Sequence, residues 1–508
     1  MTELALREIS AQKAVSGDNF PQGVIDFNFS TGSPTCWIPS KSYFRLELQI
    51  TGALGANQPT KQEQLAFADS CPATLFDNIY FKASGQDVSS CVNYIPQAQS
   101  LKNRLSKTGA WLNSVGKSAY GLEADFSKRV DQVCVKPVVQ LNVGDRTHAI
   151  TGTVAYAVAT GIVTGVNTDF TKFKVGDTLY IVAAAYTILS ITSITSMLVT
   201  IGVGANVNAT DEAYVVASSV NTPSANRNTV YVCWTPCIGI FDHSAPLGAG
   251  DWRLSLSPNS NYKYAGVEST QGSPTVPITA GLGGTNKFNL VVKDIKFYCA
   301  TIKESIPQGI STLYLMEAMV QSKPISGAGT AQYEYTVPSS TRALTIFVQS
   351  GKAGNNVLCP PTKFCCLANG AVAPNSERLI KSLQVTFANS TKPSTRWGSA
   401  YTLDGGVPVT DPPSMNELQQ RYNDSLSESG MLQSSGGCES LDEFLQRGMY
   451  YHYSFERDAS DKSTQVQLSM DFAAIEQGAN VFLVSWYSRA IELTTQNGSI
   501  QAVRSLSV

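Results

Sequence analysis

The sequence predicts an all-β protein built from two similar β-sandwiches in tandem, and three observations predict it. Apolar and polar residues alternate with period two in several segments, helical signals are few and short, and the order of predicted elements occurs twice. The 508 residues suffice for two or three domains. Charged residues make up only 15% of the chain, and 39 Gly and 23 Pro indicate many short strands joined by turns.

The alternation is clearest in YFRLELQI (43–50) and QVQLSMDF (465–472). Successive side chains of a strand point to opposite faces, so one set meets a core while the other meets water, as in antiparallel sheets. The predicted inward set contains Phe44, Leu46, Leu48, Ile50, Val466, Leu468, Met470 and Phe472. Shorter examples are Trp252, Leu254 and Leu256, then Phe288 and Leu290, and Leu383, Val385 and Phe387.

Three short helices are predicted between the strands. Ser414 with Glu417, and Ser440 with Glu443, have the spacing of capping boxes. A third helix is predicted over 97–106. Helices do not alternate regularly with strands, which argues against Rossmann and (β/α)8 architectures.

The order strand, helical region and three further strands occurs in both halves of the chain. We therefore expect an N-terminal segment at 1–22, a first sandwich at 23–304 and a second at 305–508. A stretch rich in Thr, Val, Ile and Gly at 149–219 interrupts the first sandwich. Its FKVGDTLYIVAAAYTILSIT phrase predicts strand, turn and strand, in a small β-domain grafted into a loop.

Charge and cysteine content limit the possible partners and compartments. The net charge is −2 without a basic run, so neither nonspecific nor direct sequence-specific nucleic-acid binding is expected. The first residues do not resemble a signal peptide, and no apolar stretch reaches membrane-spanning length. The 11 cysteines, irregularly spaced, favour free thiols in a reducing cytoplasm or nucleus, including neighbouring Cys365 and Cys366.

Catalytic and metal sites are not predicted. The three histidines, His148, His243 and His452, lack any accompanying catalytic motif, so an enzyme is not expected. Cys233 and Cys237 lack a second ligand pair at zinc-finger distance, which favours core thiols over metal ligands. We therefore expect no metal and no cofactor.

Glycoside hydrolases use paired carboxylates, and Asp458 and Asp461 are candidates for such a pair. They lie with Glu456 and Arg457 in an apparent strand connection. A solvated turn or a charge pair across a subunit contact is the favoured interpretation. Asp26 and Asp251 have no partner that the sequence identifies.

Three phrases carry a resemblance to a known family. They are IDFNFSTGSPTCWIPSKSYFRLELQI, CWTPCIGIFDHSAPLGAGDWRLSLSPN and RGMYYHYSFERDASDKSTQVQLSMDF, the last continued by ANVFLVSWYSRAIEL. With the two-sandwich pattern, the chain resembles the double jelly-roll major capsid proteins of the adenovirus and tectivirus lineage, particularly those of Polinton-like viruses, adintoviruses and virophages. The resemblance covers nearly the whole chain except the insertion.

The resemblance implies two eight-stranded jelly rolls per chain and a homotrimer with a pseudo-sixfold outline. The trimer would tile an icosahedral virion, with neighbouring capsomers, penton proteins and minor capsid proteins as partners, and would assemble in the host cytoplasm or nucleus. The insertion would form an outward tower. We expect the N-terminus to lack strand structure up to about Asn19 and to lie under the shell, against a neighbour, a minor capsid protein or an internal membrane.

Aromatic and arginine residues in connections are the predicted subunit-interface residues, because such residues are enriched at interface centres. The alternative is that the tyrosines merely cover the sandwich edge. The predicted residues are Arg396, Trp397, Tyr450, Tyr451, Tyr453 and Arg457.

Two other functions remain open at the sequence level. One is a secreted or tail-associated carbohydrate-binding or adhesin protein, which would need an export signal or an aromatic platform beside polar residues. The other is a sandwich-fold glycosidase, which would need a recognisable acid pair.

Overall fold

The fold is described from a computed structural model. It describes residues 4–13, 15, 20–52, 63–67, 71–116, 147–150, 152–173, 175–182, 184–202, 206–210, 213–216, 229–260, 266–270, 276–277, 288–304, 308–326, 329–350, 380–394, 403–404, 407–408, 412–434, 440–441, 444, 450–455, 461–472 and 479–506.

Strands dominate the described residues, as the sequence predicts. The first half begins with β1 (Ala5–Ser10), β2 (Ile25–Thr31), β3 (Thr35–Trp37), β4 (Tyr43–Gly52), β5 (Glu63–Phe67), β6 (Phe76–Ala83) and β7 (Gln86–Val92). An inserted sheet contains β8 (Thr147–Ala149), β9 (Thr153–Ala157), β10 (Ile162–Val166), β11 (Thr178–Ile181), β12 (Ala184–Ser193), β13 (Ser196–Val199), β14 (Val207–Thr210) and β15 (Ala213–Val216). The first half ends with β16 (Thr229–Trp234), β17 (Gly250–Pro258), β18 (Gly266–Thr270), β19 (Val276–Pro277) and β20 (Phe288–Lys303).

The second half follows a short connection. Its strands are β21 (Gly309–Pro324), β22 (Gly329–Thr336), β23 (Thr341–Ser350), β24 (Ile380–Phe387), β25 (Ser390–Lys392), β26 (Leu403–Asp404), β27 (Val407–Pro408), β28 (Tyr451–Ser454), β29 (Gln465–Phe472), β30 (Ala479–Gln496) and β31 (Ser499–Leu506).

Each half folds into two packed antiparallel sheets with one strand order. The first sandwich has the sheets β1-β20-β4-β16, with β3 added to β20, and β2-β17-β6-β7. The second has β21-β30-β23-β28, with β31 added to β30, and β22-β29-β24-β25. Numbering the eight main strands of either sandwich in chain order gives 1-8-3-6 in one sheet and 2-7-4-5 in the other. This is the arrangement of an eight-stranded jelly roll, and it confirms the predicted tandem repeat.

The alternating segments have the predicted orientation wherever their side chains are described. Phe44, Leu46 and Leu48 of β4 are buried while Arg45 and Glu47 between them are partly exposed. The inward sets of β17, β24 and β29 are likewise buried. These side chains fill the space between the two sheets of each sandwich, and their period fixes which face that is.

The N-terminal prediction was wrong, because β1 is a strand of the first sandwich. It pairs with β20 from Ala5↔Thr301 to Ser10↔Lys296. Glu8 accepts hydrogen bonds from Lys296 (2.5 Å) and from the Tyr298 hydroxyl (2.7 Å). Only Ile9 of β1 is buried, so the alternation that identifies other strands is absent and a distant partner strand decides the conformation.

Helices lie mainly in the connection between the fifth and sixth main strands of each sandwich. In the first sandwich this connection contains α2 (Ile95–Ser106), near the predicted 97–106, and α3 (Gly109–Trp111); α1 (Cys71–Thr74) precedes β6. In the second it contains α4 (Pro412–Glu428) and α5 (Met431–Ser434). α4 begins at Pro412, two residues before the predicted cap Ser414. Most of the helix predicted at 440–447 lies outside the described residues, although the Phe444 amide bonds to the Ser440 carbonyl (3.0 Å).

The inserted sheet has its own core. Its order is β14-β9-β10-β13-β12-β11-β15-β8, and it includes the predicted strand pair β11 and β12. Val163, Phe170, Leu179, Ile181 and Ile188 are among the buried residues of a cluster separate from that of the sandwiches. Its first and last strands pair with each other, Thr147 opposite Val216, so the insertion begins and ends at one point.

Candidate functional site

The histidines whose side chains are described do not form a reactive group. His452 is buried, and burial lowers its pKa to about 4, so its imidazole is neutral at pH 7. Its Nδ1 shares a hydrogen bond with the Thr345 hydroxyl (2.8 Å). Burial also lowers the pKa of His243. His148 lies in β8, where only its backbone is described.

Two of the acids singled out in the sequence, Asp461 and Asp26, have hydrogen-bond partners in the structure. Asp461 accepts a hydrogen bond from the Ser463 amide (2.8 Å), as in a turn, while Glu456, Arg457 and Asp458 lie outside the described residues. Asp26 receives both Nε and an Nη of Arg253 (3.0 and 2.9 Å) and the Ser255 hydroxyl (2.6 Å). Burial by itself would raise the pKa of Asp26, but these hydrogen bonds hold that pKa below its usual value.

The cysteines and the rest of the described chain offer no metal site. Cys233 is half-buried in β16, Cys237 is buried, and both are free thiols; Cys365 and Cys366 lie outside the described residues. Within those residues, no group of three or more His, Cys, Asp or Glu side chains could hold a metal ion. Within the same part of the chain, no helix has the length and apolar character needed to cross a membrane.

The three tyrosines predicted at a subunit interface are buried within one chain. Tyr450, Tyr451 and Tyr453 are each no more than 3% exposed. The Phe444 ring packs edge-on against Tyr450 (5.7 Å between centroids), and the Arg421 guanidinium lies 5.8 Å from the Tyr451 ring. This burial gives them a packing role beside α4. Arg396, Trp397 and Arg457 lie outside the described residues, and the interface assignment stays a prediction.

The feature that joins the two sandwiches is a buried junction built around α2. The Trp234 indole at the end of β16 donates to Gln99 on one side of α2 (3.2 Å). On its other side, Gln97 donates to Gln349 of the second sandwich (3.1 Å). Polar side chains of α2 are buried between the sandwiches, as buried polar groups can be when they are hydrogen-bonded. They are Gln97, Gln99, Ser100, Asn103 and Arg104.

Tyr94 anchors the start of α2 on the second sandwich. Its ring packs edge-on against Phe482 (5.2 Å), and its hydroxyl shares a hydrogen bond with Ser322 (3.0 Å). Tyr94 has a φ of 49°, a left-handed conformation that is unfavourable for a bulky side chain. The contacts with the second sandwich compensate for that strain.

A buried carboxylate, Glu317 of β21, forms the second part of the junction. The Ser89 hydroxyl donates to it, as does the Gly239 amide (3.3 Å). Burial raises the pKa of Glu317 to about 7, against the lowering effect of these hydrogen bonds and of Arg489 and Lys102. Gly239 is required here, because a Cβ at this position would lie 2.6 Å from the Met316 carbonyl oxygen.

Sequence reasoning missed this junction. The available signal was a lone acid, Glu317, inside the apolar run LYLMEAMV. A lone acid in a run that is otherwise apolar is a candidate for a buried charge, and Glu317 is buried although Tyr314 and Met316 of the same run are exposed. The sequence does not show which residues supply its hydrogen bonds.

One face of the second sandwich is covered by the junction. We call it the covered face: the outward side chains of β23, of β28 and of the first half of β30, which alternate with core residues of the same strands. The Phe347 and Phe482 rings stack on it (4.9 Å between centroids), and Trp486 donates to Thr345 (2.9 Å). All are buried: Thr345, Phe347, Gln349, His452, Phe482, Val484 and Trp486.

The matching face of the first sandwich is open. We call it the open face: the outward side chains of β1-β20-β4-β16, namely Glu8, Tyr43, Arg45, Glu47, Tyr231, Lys296 and Tyr298. The Arg45 guanidinium lies between the Tyr231 and Tyr298 rings, 5.4 and 5.1 Å from their centroids. Tyr43 stacks on Tyr298 (5.2 Å, interplanar angle 8°). Tyr231 is 54% exposed. Cation–π stacking pre-arranges these side chains with little further loss of side-chain freedom on binding.

The same architecture occurs in a solved structure. A chain from the cryo-EM structure of the Sputnik virophage superposes with a TM-score of 0.53 at 11% identity, covering 99% of this chain and 88% of that one. The mavirus major capsid protein (TM-score 0.44, 10% identity, 98% and 90% covered) and the Faustovirus major capsid protein (0.43, 8%, 98% and 91%) also align. This chain has the double jelly-roll fold.

At 11% identity, the likeness to the Sputnik chain shows a shared fold and nothing more. No protein-family model and no curated protein sequence matches the sequence. The function therefore has to be argued from the geometry of the double jelly roll itself.

Proposed function

We propose that this protein is the major capsid protein of an icosahedral double-stranded DNA virus, assembling as a homotrimer that tiles the shell. The observation that carries the proposal is the pair of jelly rolls with identical strand order, held side by side by a buried junction. Three such chains present six similar sandwiches, which can fill a hexagonal outline. The fold shared with a chain of the Sputnik virophage supports this assignment.

The role we infer is structural and not catalytic. His452 and Asp26 would be candidates for reactive groups, but both side chains form hydrogen bonds within the chain. The function of such a protein is to bury complementary surface between copies, and obligate interfaces of this kind bury more than about 2,000 Å². Its location would be the virion.

The partners follow from tiling a shell. Neighbouring capsomers, penton proteins and minor capsid proteins would contact the trimer, and the inserted sheet would project outward as a tower. Contact of the N-terminus with an internal membrane stays a prediction, in which β1 would take part as a strand of the sheet, because it pairs with β20.

The test is mass measurement and imaging of the purified full-length protein. We expect a stable species of three times 54.5 kDa and capsomers of hexagonal outline in electron micrographs. A monomer that binds glycans on an array would instead favour the carbohydrate-binding alternative, for which the open face with its tyrosines is the specific observation.

A further inference from the structure

The junction inside one chain contains two matching parts, a helix and a sheet face. The helix α2 is tied to the sixth strand of the first sandwich through one side chain, Gln99, which accepts from the Trp234 indole. Its far side packs on the covered face of the second sandwich through Gln97 and Tyr94. One sandwich therefore supplies the helix and the next supplies the face.

The second sandwich also has a helix in this position. α4 lies in the same connection, between the fifth and sixth main strands, and stands beside the sixth strand, β28. Ser425 donates to the Tyr450 carbonyl (3.3 Å) and accepts from the His452 amide (3.2 Å), while Glu428 accepts from the Ser454 amide (2.9 Å).

The far side of α4 differs from that of α2. Gln419, Gln420 and Ser427 of α4 are exposed, whereas the corresponding polar side of α2 is buried against the second sandwich. The second sandwich thus presents a helix in the equivalent place, and no sheet face among the described residues lies against its exposed side.

The first sandwich presents the complementary part. Its open face is the same face of the same sheet that α2 covers in the second sandwich, and it is lined by Tyr43, Arg45, Tyr231 and Tyr298. Tyrosine and arginine are the residue types that interface centres favour.

We propose that α4 of one copy packs on the open face of the next copy, repeating between chains the contact that α2 makes within a chain. The inference rests on the proposed function and names the surfaces that hold the trimer together. A helix on one surface binding a different surface of the next copy is a heterologous contact, which closes into a ring when the rotation permits. Around a ring of three copies, junctions within a chain would alternate with junctions between chains, which gives six junctions between six jelly rolls.

The test compares substitutions on these surfaces in the full-length protein by mass photometry across a dilution series. Tyr231→Ala and Arg45→Glu alter the open face, and Ser427→Trp places a bulky side chain on the exposed side of α4. We expect each to raise the concentration at which trimers dissociate by about tenfold or more, the effect of removing a residue central to an interface.

Tyr314→Ala is the matched control, because Tyr314 is 72% exposed on β21 of the second sandwich and belongs to neither proposed surface. It should leave dissociation within about twofold of wild type. Circular dichroism checks that every variant retains the wild-type β-sheet spectrum, and Tyr231→Ala, which truncates an exposed side chain, keeps the test valid if Arg45→Glu does not fold.

The outcomes separate the two proposals. A monomeric wild-type protein contradicts the proposed function itself. Wild-type trimers whose dissociation is unchanged by Tyr231→Ala and Ser427→Trp, or changed equally by Tyr314→Ala, overturn the α4 contact alone.

Discussion

The third strands of the two jelly rolls, β4 and β23, occupy the same place in their sheets yet have different outer surroundings. Thr345 and Phe347 on the outer side of β23 are fully buried, whereas Tyr43 and Arg45 on the outer side of β4 are only partly buried. The two sandwiches have the same strand order, so the difference in burial comes from what lies against each sheet. A repeated fold can thus use one copy of a surface for internal stability and keep the other for association.

The largest effect should come from Phe347→Ala. This ring is buried in the covered face and stacked on Phe482, so its loss leaves a cavity and should reduce the free energy of unfolding by about 3–5 kcal/mol. Tyr43→Ala, at the matching strand of the open face, should cost only about 1 kcal/mol, since one partly exposed stacking contact is lost. Equilibrium urea unfolding measures both, and equal losses would contradict the comparison.

Glu317→Gln should change the pH dependence of stability, because Glu317 is buried at the junction. The pKa of Glu317 is about 7 in the folded chain and near 4.5 when unfolded, so its contribution to stability is complete below pH 4.5 and is lost as pH rises through 7. The difference corresponds to about 3 kcal/mol. Glutamine stays uncharged, and we expect the variant to match wild type at pH 4.5 and to exceed it in thermal midpoint at pH 8.

The quantity to measure is the difference in thermal midpoint between variant and wild type at each pH, because His452 changes stability with pH in the opposite direction. Its pKa is lowered from 6.5 to about 4, so its contribution is present above pH 6.5 and is lost as pH falls toward 4. Since Glu317→Gln leaves His452 in place, that background cancels. A pH-independent difference would show that the carboxylate is not buried at the junction.

Gly239→Ala should reduce the free energy of unfolding by about 1–3 kcal/mol, because the added methyl group meets backbone atoms of β21 that cannot rotate away. Gly32→Ala is the control, since a Cβ there meets nothing within 4 Å. Thermal denaturation followed by circular dichroism should show a lower midpoint for the first variant only. No change in either would mean that the two sandwiches separate without cost.

The smallest effect is expected from removing the inserted sheet. Replacing 147–216 with a short Gly-Ser linker should change the stability of the jelly rolls by less than about 1 kcal/mol, because Thr147 and Val216 lie side by side and the insertion has a separate core. Calorimetry should show the jelly-roll transition at its wild-type temperature. A large downward shift would indicate that the insertion supports the first sandwich.

The local part of this structure follows from the amino-acid sequence alone. Alternation in β4, β17, β24 and β29 predicted which side chains face the core, because a strand's two faces are set by a period of two residues. The repeated order of elements predicted two sandwiches, and the helices at 97–106 and after Pro413 were anticipated within a few residues.

What lies against each outer face depends instead on long-range packing. β1 becomes a strand through pairing with β20, Tyr450 and Tyr451 are buried beside α4, and Tyr94 reaches Phe482 in the other half of the chain. Each contact joins residues far apart in sequence. An outward position can hold a polar or aromatic residue whether water or another domain covers it, so the residue type does not reveal which of the two is present. The period of a strand fixes its two faces, but the neighbour of the outer face depends on how whole sandwiches pack.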